Sequence, residues 1–202
     1  MGTVQPSPAT AEENQVFFRG GFAAAASDRQ NELFTDTFNI LGRGNNAGQT
    51  GWYIGAGLDQ GMHKNFLGFQ GMSLMGEIGI EFKRFASNTV TSATALTPVS
   101  RTTPATVQIT MLTVDVAPKL KFREGERLRP WVIPIGLDFH VISPPSNQAG
   151  YLDIGAQMGA GVEYNIWGPV NLGVDGRYHF TANMTNTVNN YGSVGMYVGI
   201  LY

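Results

Sequence analysis

The sequence predicts an all-β fold, an eight-stranded antiparallel up-and-down transmembrane β-barrel. Three observations predict it. Eight segments alternate apolar residues with polar residues or Gly at a period of two, the mark of a strand with two unlike faces. Gly is abundant, with 26 residues, and on the polar face it is interleaved with the charges. The connections between segments alternate between long and short.

The first segment opens near Val16, with Val16, Phe18, Phe22 and Ala24 on one face and Phe17, Arg19 and Gly21 on the other. The second sets Trp52, Ile54, Ala56 and Leu58 against Tyr53, Gly55, Gly57 and Asp59. In the third, Leu74, Ile78, Ile80 and Phe82 oppose Met75, Glu77, Gly79, Glu81 and Lys83. The fourth alternates Leu112, Val114, Val116, Leu120 and Phe122 with Thr113, Asp115, Ala117, Lys119 and Lys121. The fifth is read with Trp131, Ile133, Ile135, Leu137 and Phe139 on its apolar face and Val132, Pro134, Gly136, Asp138 and His140 on the other. Ile154, Ala156, Met158, Ala160 and Val162 against Gly155, Gln157, Gly159, Gly161 and Glu163 make the sixth. The seventh pairs Leu172, Val174, Tyr178 and Phe180 with Asn171, Gly173, Asp175, Arg177 and His179. The eighth has Val194, Met196, Val198, Ile200 and Tyr202 opposite Gly195, Tyr197 and Gly199.

Residues 26–49 and 86–107 are long connections, the second rich in Thr and Ser, whereas only REGERLR and NIWGP separate two of the segment pairs. Residues 143–150 and 182–190 are intermediate, and 60–70 is somewhat long for a turn. Within the first long loop, ELFTDTFNILG reads equally as a short helix or a strand extension. Residues 1–13, rich in Pro, Thr and Ala, read as a flexible tail without the basic-then-apolar pattern of a signal peptide.

The alternation leaves open which face looks inward, because a soluble lipocalin-like barrel has the same period. The polar face decides. A water-facing strand carries Thr, Lys, Glu and Gln, since Gly packs nothing and costs backbone entropy. Gly beside Glu163, or beside Asp175 and Arg177, suits a crowded lumen that must hold long charged side chains. Large aliphatics and aromatics in nearly every segment exceed what a small barrel buries and suit lipid. Trp131, Trp167, Tyr164 and Phe122 beside the short turns, with Tyr151 and Tyr191 beside the long loops, are expected to form two interfacial aromatic girdles.

Composition removes several function classes. A net charge of −2 and 14% charged residues leave no basic footprint for nucleic acid. Without Cys there is no disulfide framework, thiolate metal site or cysteine nucleophile. No run of about 18 apolar residues makes a transmembrane helix, which says nothing against strands.

The segment VGMYVGILY, apolar at every second position and ending on Tyr202, is similar to the carboxy-terminal strand of Gram-negative outer-membrane barrels. VDVAPKLKFREGERLRPWVIPIGLDF and GAGVEYNIWGPVNLGVDGRYHF resemble paired strands of the small barrel superfamily that includes OmpX and the membrane domain of OmpA. The resemblance, which covers roughly residues 14–202, is one of pattern. It implies a bacterial outer-membrane location with outer-membrane lipid as surroundings. Residues 1–13 would be a periplasmic tail, and loops 26–49 and 86–107 would face outward and be able to meet an external protein or surface ligand. It also implies that Val198, Ile200 and Tyr202 act as an assembly signal for the barrel assembly machinery.

The candidate chemistry is luminal: Arg19, Glu77, Glu81, Lys83, Asp115, Lys119, Lys121, Asp138, Glu163, Asp175 and Arg177. Paired carboxylates can do acid–base work and fixed charges can select ions. However, an eight-stranded barrel is just wide enough to fill with side chains, and charges inside it must be paired. The reading is therefore a charge network plugging the lumen of a non-enzymatic protein with a structural or loop-mediated interaction role. A small porin-like channel is the alternative, and a soluble lipocalin-like ligand-binding barrel the remoter one. Gly192-Ser193-Val194-Gly195 lacks the full G-x-S-x-G elbow. His63, His140 and His179 have no close ligand spacing, so neither a metal nor any other cofactor is expected.

Overall fold

A computed structural model of the chain describes residues 14–26, 50–85, 88–90, 105–107, 110–143, 152–182 and 189–202. The strands are β1 (Gln15–Ala25), β2 (Thr50–Lys64), β3 (Met72–Phe85), β4 (Asn88–Val90), β5 (Ala105–Val107), β6 (Thr110–Phe122), β7 (Leu128–Ser143), β8 (Leu152–Trp167), β9 (Val170–Thr181) and β10 (Tyr191–Leu201). Eight of them close a barrel in the order β1-β2-β3-β6-β7-β8-β9-β10, and β10 returns to pair with β1. Every pairing is antiparallel. β4 and β5 form a separate two-stranded pair inside the Thr/Ser-rich connection. The fold class read from the sequence is the one observed.

The barrel strands are 11 to 16 residues long. That meets or exceeds the ~9–11 residues a tilted strand needs to cross a hydrocarbon core. Closure matters in lipid, because an open edge would leave a row of backbone groups with no water to satisfy them.

Three short turns share one end of the barrel, at 65–71, 123–127 and 168–169. Each uses left-handed backbone: Asn65 and Leu67, with Gly68 and Gly71, in the first; Arg123 and Gly125 in the second; Gly168 in the third. Asn65 steadies its turn by accepting a hydrogen bond from the Gly71 amide at 3.1 Å. The first turn is tighter than the expected 60–70 because β2 runs on to Lys64 past a bulge at Met62. The described N-terminal segment ends here too: the Tyr202 amide donates to the Asn14 carbonyl at 3.0 Å. The tail 1–13, the segment ELFTDTFNILG and most of the long loops lie outside the described residues.

The wall is inverted relative to a water-soluble barrel. Phe18, Phe22, Ile54, Ile78, Ile80, Val116, Leu137, Val174, Val194 and Met196 are all exposed, Phe22 at 74%. Buried side chains are mostly polar: eight carboxylates and five Lys or Arg are among them.

One strand departs from its expected faces. Trp131 and Ile133, assigned to the lipid face, are each only 1% exposed and point inward, while Ile135, Leu137 and Phe139 point out as expected. The cause is a β-bulge. Between Ile133 and Gly136 the pairing with β8 advances three residues on β7 against two on its partner. Across β6 the same stretch shifts register between Val116 and Leu120. Pro134 and Ile135 therefore both face outward, and alternation resumes one residue out of phase. Pro134 has no amide to leave unpaired, so the extra residue sits there at little cost.

Candidate functional site: the barrel interior

The interior is built by residues two apart on eight strands, so it is stacked in layers. Nearest the short turns, Lys121 lies 3.3 Å from both Asp59 and Glu163. Gln15 donates to Asp59 (2.7 Å) and to Glu163 (2.8 Å), and Asn171 donates to Gln15 (3.2 Å) and Glu163 (3.1 Å). Above them, Lys119 bridges Asp59 at 2.9 Å and Glu77 at 2.8 Å. Its ammonium also sits 4.3 Å from the centre of the Trp131 ring.

At mid-height two guanidiniums interlock four carboxylates. Arg177 pairs with Glu77, with Asp175 at 3.1 Å and with Asp115 at 3.9 Å. Arg19 reaches the same Asp175 at 3.0 Å and Glu81 at 2.9 Å. The fixed fork of Arg suits it to join two acids at once. Lys83 continues the chain from Glu81 and donates to Thr113 at 3.0 Å. Such charges, taken from water, are tolerable only when paired and hydrogen-bonded throughout.

Aromatic groups fill the gaps. The Trp131 indole donates to Tyr197 Oη at 2.9 Å, and Tyr197 Oη donates to Glu163 at 3.1 Å. Glycine is required opposite them. A Cβ on Gly173 would collide with the Tyr197 ring, and one on Gly161 would come within 2.6 Å of Trp131. Gly173→Val is accordingly expected to push Tyr197 off Trp131 and Glu163 and to cost about 1–3 kcal/mol, as overpacking does. Urea titration of the refolded barrel checks this; an unchanged midpoint would contradict the crowding.

Toward the loop end the character changes. Ala23, Tyr53, Phe85, Met111, Ile142 and Tyr191 form an apolar cluster. Just inside it lie Asp138, His140 and His179, with His179 Nδ1 2.7 Å from Asp138 Oδ2. The His179 ring stacks on Tyr191 at 4.2 Å.

All eleven charged residues singled out from sequence lie inside the barrel: Arg19, Glu77, Glu81, Lys83, Asp115, Lys119, Lys121, Asp138, Glu163, Asp175 and Arg177. Val198, Ile200 and Tyr202 lie on the outer face. Sequence reasoning left out of that set Asp59, whose inward phase on β2 was legible, and Asp153, which accepts from Asn189 at 2.8 Å. Of the expected girdles, Trp167 and Tyr164 are exposed near the short turns, Phe122 is half-buried, and Tyr151 lies outside the described residues. Two members are corrected. Trp131 is turned inward by the bulge, and Tyr191, 0% exposed, packs inside against His179. Tyr191 stands three places before Val194, so strict alternation already places it opposite the lipid-facing residues.

An apolar outer wall, a closed eight-stranded sheet and a polar interior define the class: a small transmembrane β-barrel of the bacterial outer membrane. No family model and no curated protein matches the chain. Among solved structures it is similar to Neisserial surface protein A (NspA), with a TM-score of 0.57 and 14% identity over 94% of this chain and 97% of that one. It is also similar to the outer-membrane enzyme PagL, with a TM-score of 0.51 and 13% identity over 94% of this chain and 99% of that one. At such identities the likeness is one of fold.

Proposed function

We propose that this chain is a non-enzymatic integral outer-membrane protein, in which a filled barrel serves as scaffold and loops 26–49 and 86–107 meet an external protein or surface ligand. The observation that carries the reading is the interlocked interior. From Lys121 to Lys83 the buried charges engage one another, and Trp131, Tyr53 and Tyr197 occupy the space between them. Interaction then falls to the loops, where rigid scaffolds commonly carry it. In this reading residues 1–13 lie on the periplasmic side, with the short turns.

The orientation is testable with epitope tags. A tag within 86–107 should be labelled on intact cells, and a tag ahead of residue 14 only after the outer membrane is permeabilised. The reverse pattern would overturn the reading.

The same proposal makes Val198, Ile200 and Tyr202 a signal for the barrel assembly machinery. The Tyr202 side chain is 58% exposed, so it packs little in the folded barrel. Tyr202→Asp is therefore expected to impair assembly in cells far more than refolding in detergent. Equal impairment in both would leave Tyr202 a packing residue only.

A further inference from the structure

We propose that Asp138, His140 and His179 form a binding site for a divalent transition-metal ion such as Zn²⁺ near the loop end of the barrel. Asp138 and His140 lie on β7 and His179 on β9, and one ligand atom from each lies within 4.8 Å of the other two. Asp138 Oδ2 is 2.7 Å from His179 Nδ1 and 3.7 Å from His140 Nε2. A tetrahedral ion with bonds of about 2.0–2.2 Å places its ligand atoms about 3.3–3.6 Å apart, so shifts of a few tenths of an ångström to about 1 Å seat it. Two imidazoles and a carboxylate are a donor set that suits Zn²⁺, Co²⁺, Ni²⁺ and Cu²⁺.

A second observation points to a ligand. His140 Nε2, His179 Nε2 and Asp138 Oδ1 are buried without a hydrogen-bond partner, although all three residues are fully enclosed. Buried polar atoms are ordinarily satisfied, and of these three His140 Nε2 is also one of the ligand atoms above: it stands 3.7 Å from Asp138 Oδ2, beyond hydrogen-bond reach and at a separation a shared cation would accept. His140 is also held as metal-bound histidines are. Thr113 Oγ1 lies 3.0 Å from His140 Nδ1, 3.0 Å from Lys83 Nζ and 3.2 Å from Tyr191 Oη. If Thr113 accepts from Lys83 and from His140 Nδ1–H and donates to Tyr191, every one of those contacts is met. The lone pair of His140 is then on Nε2, toward Asp138.

The charges agree. Asp115 stands directly across the β6–β7 ladder from Asp138, and Arg177 reaches only Asp115 of the two, so a cation at Asp138 would relieve their like-charge repulsion. Among the described residues no Lys or Arg is in salt-bridge distance of Asp138; its only such partners are the two histidines. Lys83, which shares Thr113 with His140, is tied to Glu81. Gly155 on the intervening β8 keeps the gap open, because a Cβ there would stand 3.1 Å from His140 Nε2.

The test uses the untagged full chain refolded in detergent with Zn²⁺ present, then desalted and analysed for metal. About one equivalent should be retained, and His63→Ala, in the turn at the other end, should leave it unchanged. His140→Gln and His179→Gln should abolish retention, and Thr113→Val should weaken affinity by about 10–100-fold through loss of the outer hydrogen bond. Retention that survives both histidine variants, or none in the unaltered chain, would overturn the proposal. Cu²⁺ bound to the unaltered chain supplies a readout independent of variant folding. Its paramagnetic resonance should show coupling to two imidazole nitrogens, and a spectrum with oxygen ligands alone would overturn the site.

Discussion

Replacing Arg177 with Met is expected to lower the unfolding free energy by about 4 kcal/mol, within the range for breaking a buried charge network from one side. Arg177 pairs with Glu77, Asp115 and Asp175. Asp175 keeps Arg19 and Glu77 keeps Lys119, whereas Asp115 loses the only Lys or Arg in salt-bridge distance among the described residues. Lys119→Met should cost less, about 3 kcal/mol. There Asp59 retains Lys121 and the Gln15 amide, and Glu77 retains Arg177. The order of the two variants, read by urea titration in liposomes, is as informative as either value. Water standing in the lumen would solvate the orphaned acids and make both costs small.

The second large effect is on the outer face. Val114→Arg and Val174→Arg should each cost about 2–4 kcal/mol if they lie near the bilayer midplane, because the guanidinium must be drawn into hydrocarbon. Both valines are exposed on the charge-free face of strands without a bulge at that point. Ile135 is equally outward but sits on the β7 bulge, where backbone adjustment would confuse the measurement. Costs near zero at both valines would mean that this face does not meet lipid.

Most of the wall was legible because strand period and side-chain facing are locked together. A residue in phase with Glu77 or Asp175 must look the way they look. The same lock explains the failure at Trp131 and Ile133. A bulge adds one residue and reverses every face upstream of it, and Pro134 was the only local sign of it. The pairing within the lumen was legible only in kind. Arg177 and Glu77 are 100 residues apart in sequence, and nothing local indicates that they meet. The Asp138, His140 and His179 cluster was hidden for the same reason. Its members come from β7 and β9, two strands separated in the sheet by β8, and meet over the inner face of β8 where Gly155 leaves room.

The central claim is that this barrel spans the membrane with its interior filled by paired charges and aromatic rings. Single-channel recording of the refolded, unaltered protein in a planar bilayer tests it most directly. The filled interior predicts a silent bilayer despite inserted protein, with steps emerging only when Arg177 or Lys119 is replaced and the network loosens. Regular conductance steps from the unaltered protein, with selectivity that follows the charge at residue 119, would contradict the account and make the barrel a pore.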